Sequence, residues 1–175
     1  LYDGEIFSLQ PFGGVNRYFT SLISSLPENI TPIVLSSKGS DRSPNHPNIK
    51  WASFSRFAFR PGRLAFLVEQ FYFGTIAILS RPDLFHPTYY YLLLGRALAY
   101  QKKPIVVTLY DMIHEIYPNI VDPLGHHAAA KKEILKAATH IICISNRTMR
   151  DLLELYPCYE KKCSVIPLSP DEKLA

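Results

Sequence analysis

The sequence of 175 residues holds only three cysteines, Cys143, Cys158 and Cys163, which cannot all pair with one another. Two of them fall in segments that read as strands, so a disulfide framework is excluded and a reducing compartment is expected. The chain opens at Leu1 with no charged n-region and no cleavable apolar segment, so no secretory signal is read and the cytoplasm is the expected location. A long hydrophobic run is also lacking. The most lipophilic stretch, Leu64 to Leu79, is broken by Glu69, Gln70, Gly74 and Thr75 and is shorter than the roughly 20 residues of a spanning helix. No charge of one sign dominates: 19 Lys and Arg against 15 Asp and Glu leave a net charge of +4. That permits weak attraction to phosphates or anionic lipid and falls short of a nucleic-acid-binding footprint, so no nucleic-acid partner is expected. Three motifs are missing as well. Without a G-x-G-x-x-G turn a dinucleotide cofactor is disfavoured, and without G-x-S-x-G a hydrolase elbow is disfavoured. Cys158 and Cys163 have no second ligand pair, and the adjacent His126 and His127 point to different helix faces, so no metal is expected.

What is present is an alternation of short β-branched runs with segments of helical period, in a length suited to one domain. Strands are expected at Leu1–Asp3, Ile30–Ser36, Ile49–Phe54, Asp83–His86, Ile105–Leu109, His140–Ile144 and Cys163–Leu168. The run Ile105–Leu109 suits a strand buried on both faces, at the sheet centre. Helices are expected from Val15 to Leu26, from Pro61 to about Leu79, from about Pro123 to Ala138 with Lys131 and Leu135 on one face, and from Asn146 to Tyr156. The fold class is therefore α/β, a Rossmann-like open sheet of about seven mainly parallel strands with helices on both faces. Residues 1–168 form the domain, and 169–175 read as the start of a linker.

In such sheets ligands bind outside the carboxyl ends of the strands, so the turns after the strands carry the functional reading. After the first strand, Gly13 and Gly14 let backbone amides approach a ligand. The helix they open, with Asn16 and Arg17, offers free N–H groups and a positive dipole end to a phosphate; a plain tight turn is the competing reading. After the expected central strand, Tyr110, Asp111, His114 and Glu115 suit proton transfer or the binding of sugar hydroxyls, against a reading of Asp111 as a turn cap. His86, Tyr89, Tyr90 and Tyr91 offer aromatic faces to a sugar or fill a core. Ser145 and Asn146 cap the helix that follows them, and Arg147 reaches toward an anion. The stretch Phe57–Arg63 interleaves aromatics with arginines and reads either as a membrane-surface contact or as an edge strand and loop.

Four segments share an order and spacing: Asp3-Gly4-Glu5 into Gly13-Gly14-Val15-Asn16-Arg17; Val68-Glu69-Gln70; Val107-Thr108-Leu109-Tyr110-Asp111 with Tyr117-Pro118; and Ala137 through Thr148 with Lys162 and Val165-Ile166-Pro167. In this the chain resembles the amino-terminal half of a group 1 glycosyltransferase of family 4, with the GT-B architecture. The resemblance implies a retaining, metal-independent transferase that moves a sugar from a nucleotide-sugar co-substrate to a saccharide or lipid-linked acceptor in surface polysaccharide synthesis, at the inner membrane face. It implies that Gly13 and Gly14 lie beside the donor diphosphate, with Asn16 and Arg17, and that Ser145 and Thr148 form the Ser-x-x-Thr turn facing the cleft. Tyr110 and Asp111 stand where the family commonly has His-Asp, and His86, Tyr89, Tyr90 and His114 fall on the acceptor side. The family's Glu-x7-Glu donor motif belongs to a C-terminal domain that this chain lacks, so the chain alone is expected to be inactive. The alternative is a non-catalytic Rossmann-like module that binds carbohydrate or protein.

Overall fold

The computed structural model describes residues 1–10, 12–36, 44–54, 62–90 and 102–169, with the side chains of 62–66 left aside. The chain divides into two compact units, Leu1–Ile105 and Val106–Ala175. The α/β class is as expected, and every strand pair in both sheets is parallel. Among the described residues six strands form in place of seven, in two sheets of three.

In the first unit β1 (Tyr2–Asp3), β2 (Ile33–Ser36) and β3 (Lys50–Ser53) pair in that order. The β2–β3 ladder runs on beyond both strands, from Lys50 N to Pro32 O at one end to Phe54 N to Ser36 O at the other. Between β1 and α2 (Gly14–Ser24) lies α1 (Glu5–Leu9), five residues that the periodicity does not announce. Gly4 is obligatory at its start: its amide donates to Leu35 O at 2.9 Å, and an added Cβ would stand 2.1 Å from that same carbonyl. The amphipathic α2 buries Phe19 and Ile23 on its inward face, and β2 buries Val34 and Leu35, one on each face of the sheet. α3 (Gly62–Leu79) adds Phe73 and Ala77 to the buried set while Leu67, Phe71, Ile78 and Leu79 remain exposed.

The expected strand at Asp83–His86 is a correction: it contributes only one parallel bridge, Phe85 to Ile105. Its amides do alternate sides, Phe85 N to Pro104 O and His86 N to Leu1 O, but Pro82, Pro87 and Pro104 remove the donors that a longer ladder needs.

In the second unit β4 (Val106–Leu109), β5 (His140–Cys143) and β6 (Cys163–Val165) form the other sheet, and its middle strand is β5, not the expected Ile105–Leu109 run. β4 is buried on both faces towards its carboxyl end, with Val107 and Leu109 inside on one face and Thr108 on the other. Two short helices, α4 (Ile113–Ile116) and α5 (Pro118–Val121), follow. α6 starts at His126, three residues later than Pro123, because Asp122 to Gly125 is a turn. It is closed by Gly125 N to Asp122 O, with Gly125 in the left-handed region at φ 68°. α6 ends at Ala137, where Lys162 donates to Leu135 O and Ala138 O, both at 2.8 Å, meeting the negative end of the helix. α7 (Asn146–Leu155) is followed by a 3-10 helix, Pro157–Lys162. All three cysteines are free, and burial pushes the Cys143 thiol up to about 12. No described helix is long and apolar enough to cross a membrane.

Candidate functional site

The carboxyl ends of β4 and β5 bring together most of the polar side chains singled out in the second unit. Ser145 sits in extended backbone ahead of α7, and its Oγ accepts from Thr148 N at 3.0 Å, so the helix cap is real. The Thr148 hydroxyl donates to Tyr110 O at 3.1 Å, which leaves the Ser145 hydroxyl to donate to Thr148 Oγ1 at 2.9 Å. The Ser-x-x-Thr sequence thereby ties the start of α7 to the end of β4. Arg147 is largely exposed and pairs with Asp151 at 2.8 Å along the same helix.

Tyr110 turns its hydroxyl into the interior of the unit, and its backbone carbonyl carries the contact with Thr148. Asp111 is the exposed acid of the turn, with 53% of its side chain accessible. Its Oδ1 accepts from Ile113 N at 3.1 Å, so Asp111 folds the turn as an Asx residue and still shows carboxylate to solvent. His114 stacks on His127 with ring centroids 4.7 Å apart and planes 15° apart. Burial lowers His114 below the usual imidazole range, with Lys131 and His127 adding to the effect and Asp111 and Glu115 opposing it. It is therefore neutral near pH 7.

Lys131 is the residue that sequence reasoning missed. Its spacing puts it on the inward face of α6, and nothing in a 3.6-residue period tells a buried ammonium from one that snorkels outward. It is fully buried and reaches Glu115 Oε2 at 2.9 Å and Asp111 O at 3.0 Å. Asp122, also buried, accepts from Ala128 N at 2.8 Å and caps α6. Burial pushes its carboxyl up, but amide hydrogen bonds from Ala128 and His127 and the nearby imidazoles outweigh this and hold it below the usual range.

The first unit holds the other expected residues. Gly13 is extended, at φ 175°, and an added Cβ there would meet only the flexible Gln10 side chain. Gly14 begins α2, and an added Cβ would meet nothing within 4 Å. The first turn of α2 has no side-chain cap, so its amides point outward beside two residues without side chains. Asn16 is buried with its Nδ2 lacking a hydrogen-bond partner among the described residues, and Arg17 is exposed. His86 is buried between Tyr2, at 5.5 Å, and Phe19, at 5.1 Å between ring centroids. Burial pushes it down to about 4. Tyr90 is buried and packs on the half-buried Tyr89 at 5.0 Å. Tyr91 and residues 57–61 of the Phe57–Arg63 stretch lie outside the described residues, as do the side chains of 62 and 63. Among the described residues no group of three or more His, Cys, Asp or Glu is arranged to hold a metal ion.

Parallel strands whose carboxyl ends lead to a glycine turn in one unit, and to an exposed acid and a capped Ser-x-x-Thr helix in the other, define a Rossmann-like half of a GT-B glycosyltransferase, of the amino-terminal type. The model for Glycosyltransferase Family 4 matches residues 12–172, and the chain belongs to that family, whose chemistry is glycosyl transfer. No curated protein matches the chain significantly.

Proposed function

We propose that this chain is the acceptor-side half of a retaining glycosyltransferase that moves a sugar from a nucleotide-sugar to a lipid-linked or saccharide acceptor in surface polysaccharide synthesis, at the cytoplasmic membrane face. The observation that carries this reading is the turn after β4, where a half-exposed Asp111 carboxylate and the neutral His114 stand beside the buried Lys131–Glu115 ion pair. Both are groups that bind sugar hydroxyls. An amphiphilic acceptor is supported by the segment on their C-terminal side. Tyr117, Ile120 and Leu124 are 54%, 78% and 82% exposed, while the charged side chains of the same segment, Glu115 and Asp122, are turned inward.

The open, uncapped first turn of α2 at Gly13 and Gly14 suits one phosphate of the donor, whose charge it meets with amides and a helix dipole as a metal ion otherwise would. The nucleoside and its sugar belong, in this reading, to a second domain. Thermal shift against a panel of nucleotide-sugars tests it, run on the 175-residue chain and on the full-length protein. Stabilisation of the full-length protein alone is the expected result. Stabilisation of the 175-residue chain by itself would place the nucleotide here and reverse the assignment, and silence in both would favour a non-catalytic binding module.

A further inference from the structure

Glycosyl transfer as proposed has no step for a buried lysine, yet Lys131 carries its ammonium from α6 into the turn after β4 with no exposed surface. A charge withdrawn from water must be countered, and each of its N–H groups must find an acceptor. Two are met by Asp111 O at 3.0 Å and Glu115 Oε2 at 2.9 Å. His114 Nδ1 lies 3.5 Å and Asp111 Oδ1 3.6 Å from the same ammonium nitrogen. Glu115 Oε1 is buried with no hydrogen-bond partner among the described residues, so it is the ammonium that makes this carboxylate tolerable inside the unit.

Lysine has donors and no acceptor, so its contact with the imidazole requires that Nδ1 accept, and the single ring proton of neutral His114 then sits on Nε2. We infer that Lys131 is a positioning residue that locks His114 as the neutral Nε2–H tautomer and pins the Asp111 main chain, so that the turn offers a hydrogen-bond donor and a carboxylate side by side. Only the use of that pair on a sugar rests on the transfer reading above. The remaining groups around the turn fit this role. His127 stacks on His114, Asp122 is engaged with the α6 amides, and the Tyr156 hydroxyl is pushed up by burial and by Glu115. An ammonium and a second imidazole beside His114 both oppose its protonation, which keeps Nε2–H and a lone pair at Nδ1 across the neutral range.

The test is nitrogen-15 spectroscopy of histidine-labelled full-length protein, wild type against Lys131→Met, with turnover of UDP-glucose, UDP-N-acetylglucosamine and GDP-mannose followed in parallel. The wild type should show His114 protonated at Nε2 with a titration midpoint below the ordinary imidazole range. In Lys131→Met the midpoint should rise and the tautomers mix, and kcat should fall roughly 100-fold with little change in KM, as misplacement of a reacting group implies. Lys131→Met leaves Glu115 buried without its counter-charge; if it does not fold, Lys131→Met/Glu115→Gln removes both charges and gives the same His114 readout. An Nδ1–H tautomer in the wild type, or a His114 titration indifferent to Lys131, overturns the inference. Absence of turnover of every sugar by the wild type overturns the transfer reading and leaves the spectra to decide the tautomer.

Discussion

The turn after β1 and the turn after β4 each leave the carboxyl end of a parallel strand, and they are fastened in different ways. Around Gly4 the fastening is main chain and one hydroxyl: the Gly4 amide meets Leu35 O, and the Thr88 hydroxyl donates to Asp3 O at 2.6 Å while accepting from Ile6 N at 3.2 Å. Around Asp111 the fastening is charge, with one buried ammonium holding a carbonyl and a carboxylate. Shape holds the first turn, and electrostatics holds the second. Contacts of the first kind tolerate no added volume, whereas those of the second tolerate no lost partner.

The sharpest way to break the first turn is Gly4→Val. Its Cβ would stand 2.1 Å from Leu35 O and 3.0 Å from the Phe7 ring, and a main-chain carbonyl inside a ladder has nowhere to move. A loss of about 4–5 kcal/mol, at the top of the range for single substitutions, is expected in urea denaturation. A midpoint unchanged from wild type would show that the β1–β2 contact is not what holds this turn. The matching break in the second turn is Glu115→Ala, which strands the Lys131 ammonium in the interior. It should cost about 3–4 kcal/mol, and a negligible cost would mean that water reaches Nζ.

The two substitutions also separate what is legible in a sequence from what is not. The alternation of β-branched and 3.6-period segments is a property of neighbours along the chain, and among the described residues it places the six strands and the four long helices to within a few residues. α1 has five residues between Gly4 and Gln10, too few for a period to be counted, and the prolines at 82, 87 and 104 reduce an apparent strand to one bridge. At the site, the turns after β1 and β4 are legible because strand ends in a parallel sheet always point there. The pairing of Lys131 with Glu115 spans sixteen residues and depends on α6 packing beside α4, so no local pattern carries it. His86 shows the same limit from the other side. A histidine beside three tyrosines reads as a sugar platform or as core filling, and packing with Tyr2 and Phe19, which local sequence does not show, buries its ring.

His86 also gives the first turn its own dependence on pH. Its folded value of about 4 lies below the 6.5 of an unfolded histidine, so the unfolded chain binds the extra proton first. The stability it contributes is complete above pH 6.5 and is lost as the pH falls toward 4, by roughly 3 kcal/mol. His86→Phe keeps an aromatic ring between Tyr2 and Phe19 and should flatten this part of the curve. Denaturation midpoints that fall just as steeply with acid in the variant would assign the acid sensitivity to other groups.

The smallest expected effect on stability is at Gly14, and it is the most informative about function. An added Cβ at this first position of α2 meets nothing within 4 Å, and its backbone is not in the left-handed region, so the fold does not require glycine here. Alanine is the better helix former, and Gly14→Ala should leave stability unchanged or raise it by up to about 1 kcal/mol. A residue that the fold does not need must be judged by what approaches it. If a diphosphate lies against the amides of this turn, even one methyl group holds it off, and Gly14→Ala or Gly14→Val in the full-length protein should lose donor turnover while melting as wild type. Turnover that survives both substitutions would make the glycine pair a plain turn and move the donor phosphate away from α2, leaving the charged turn after β4 as the chemical site among the described residues.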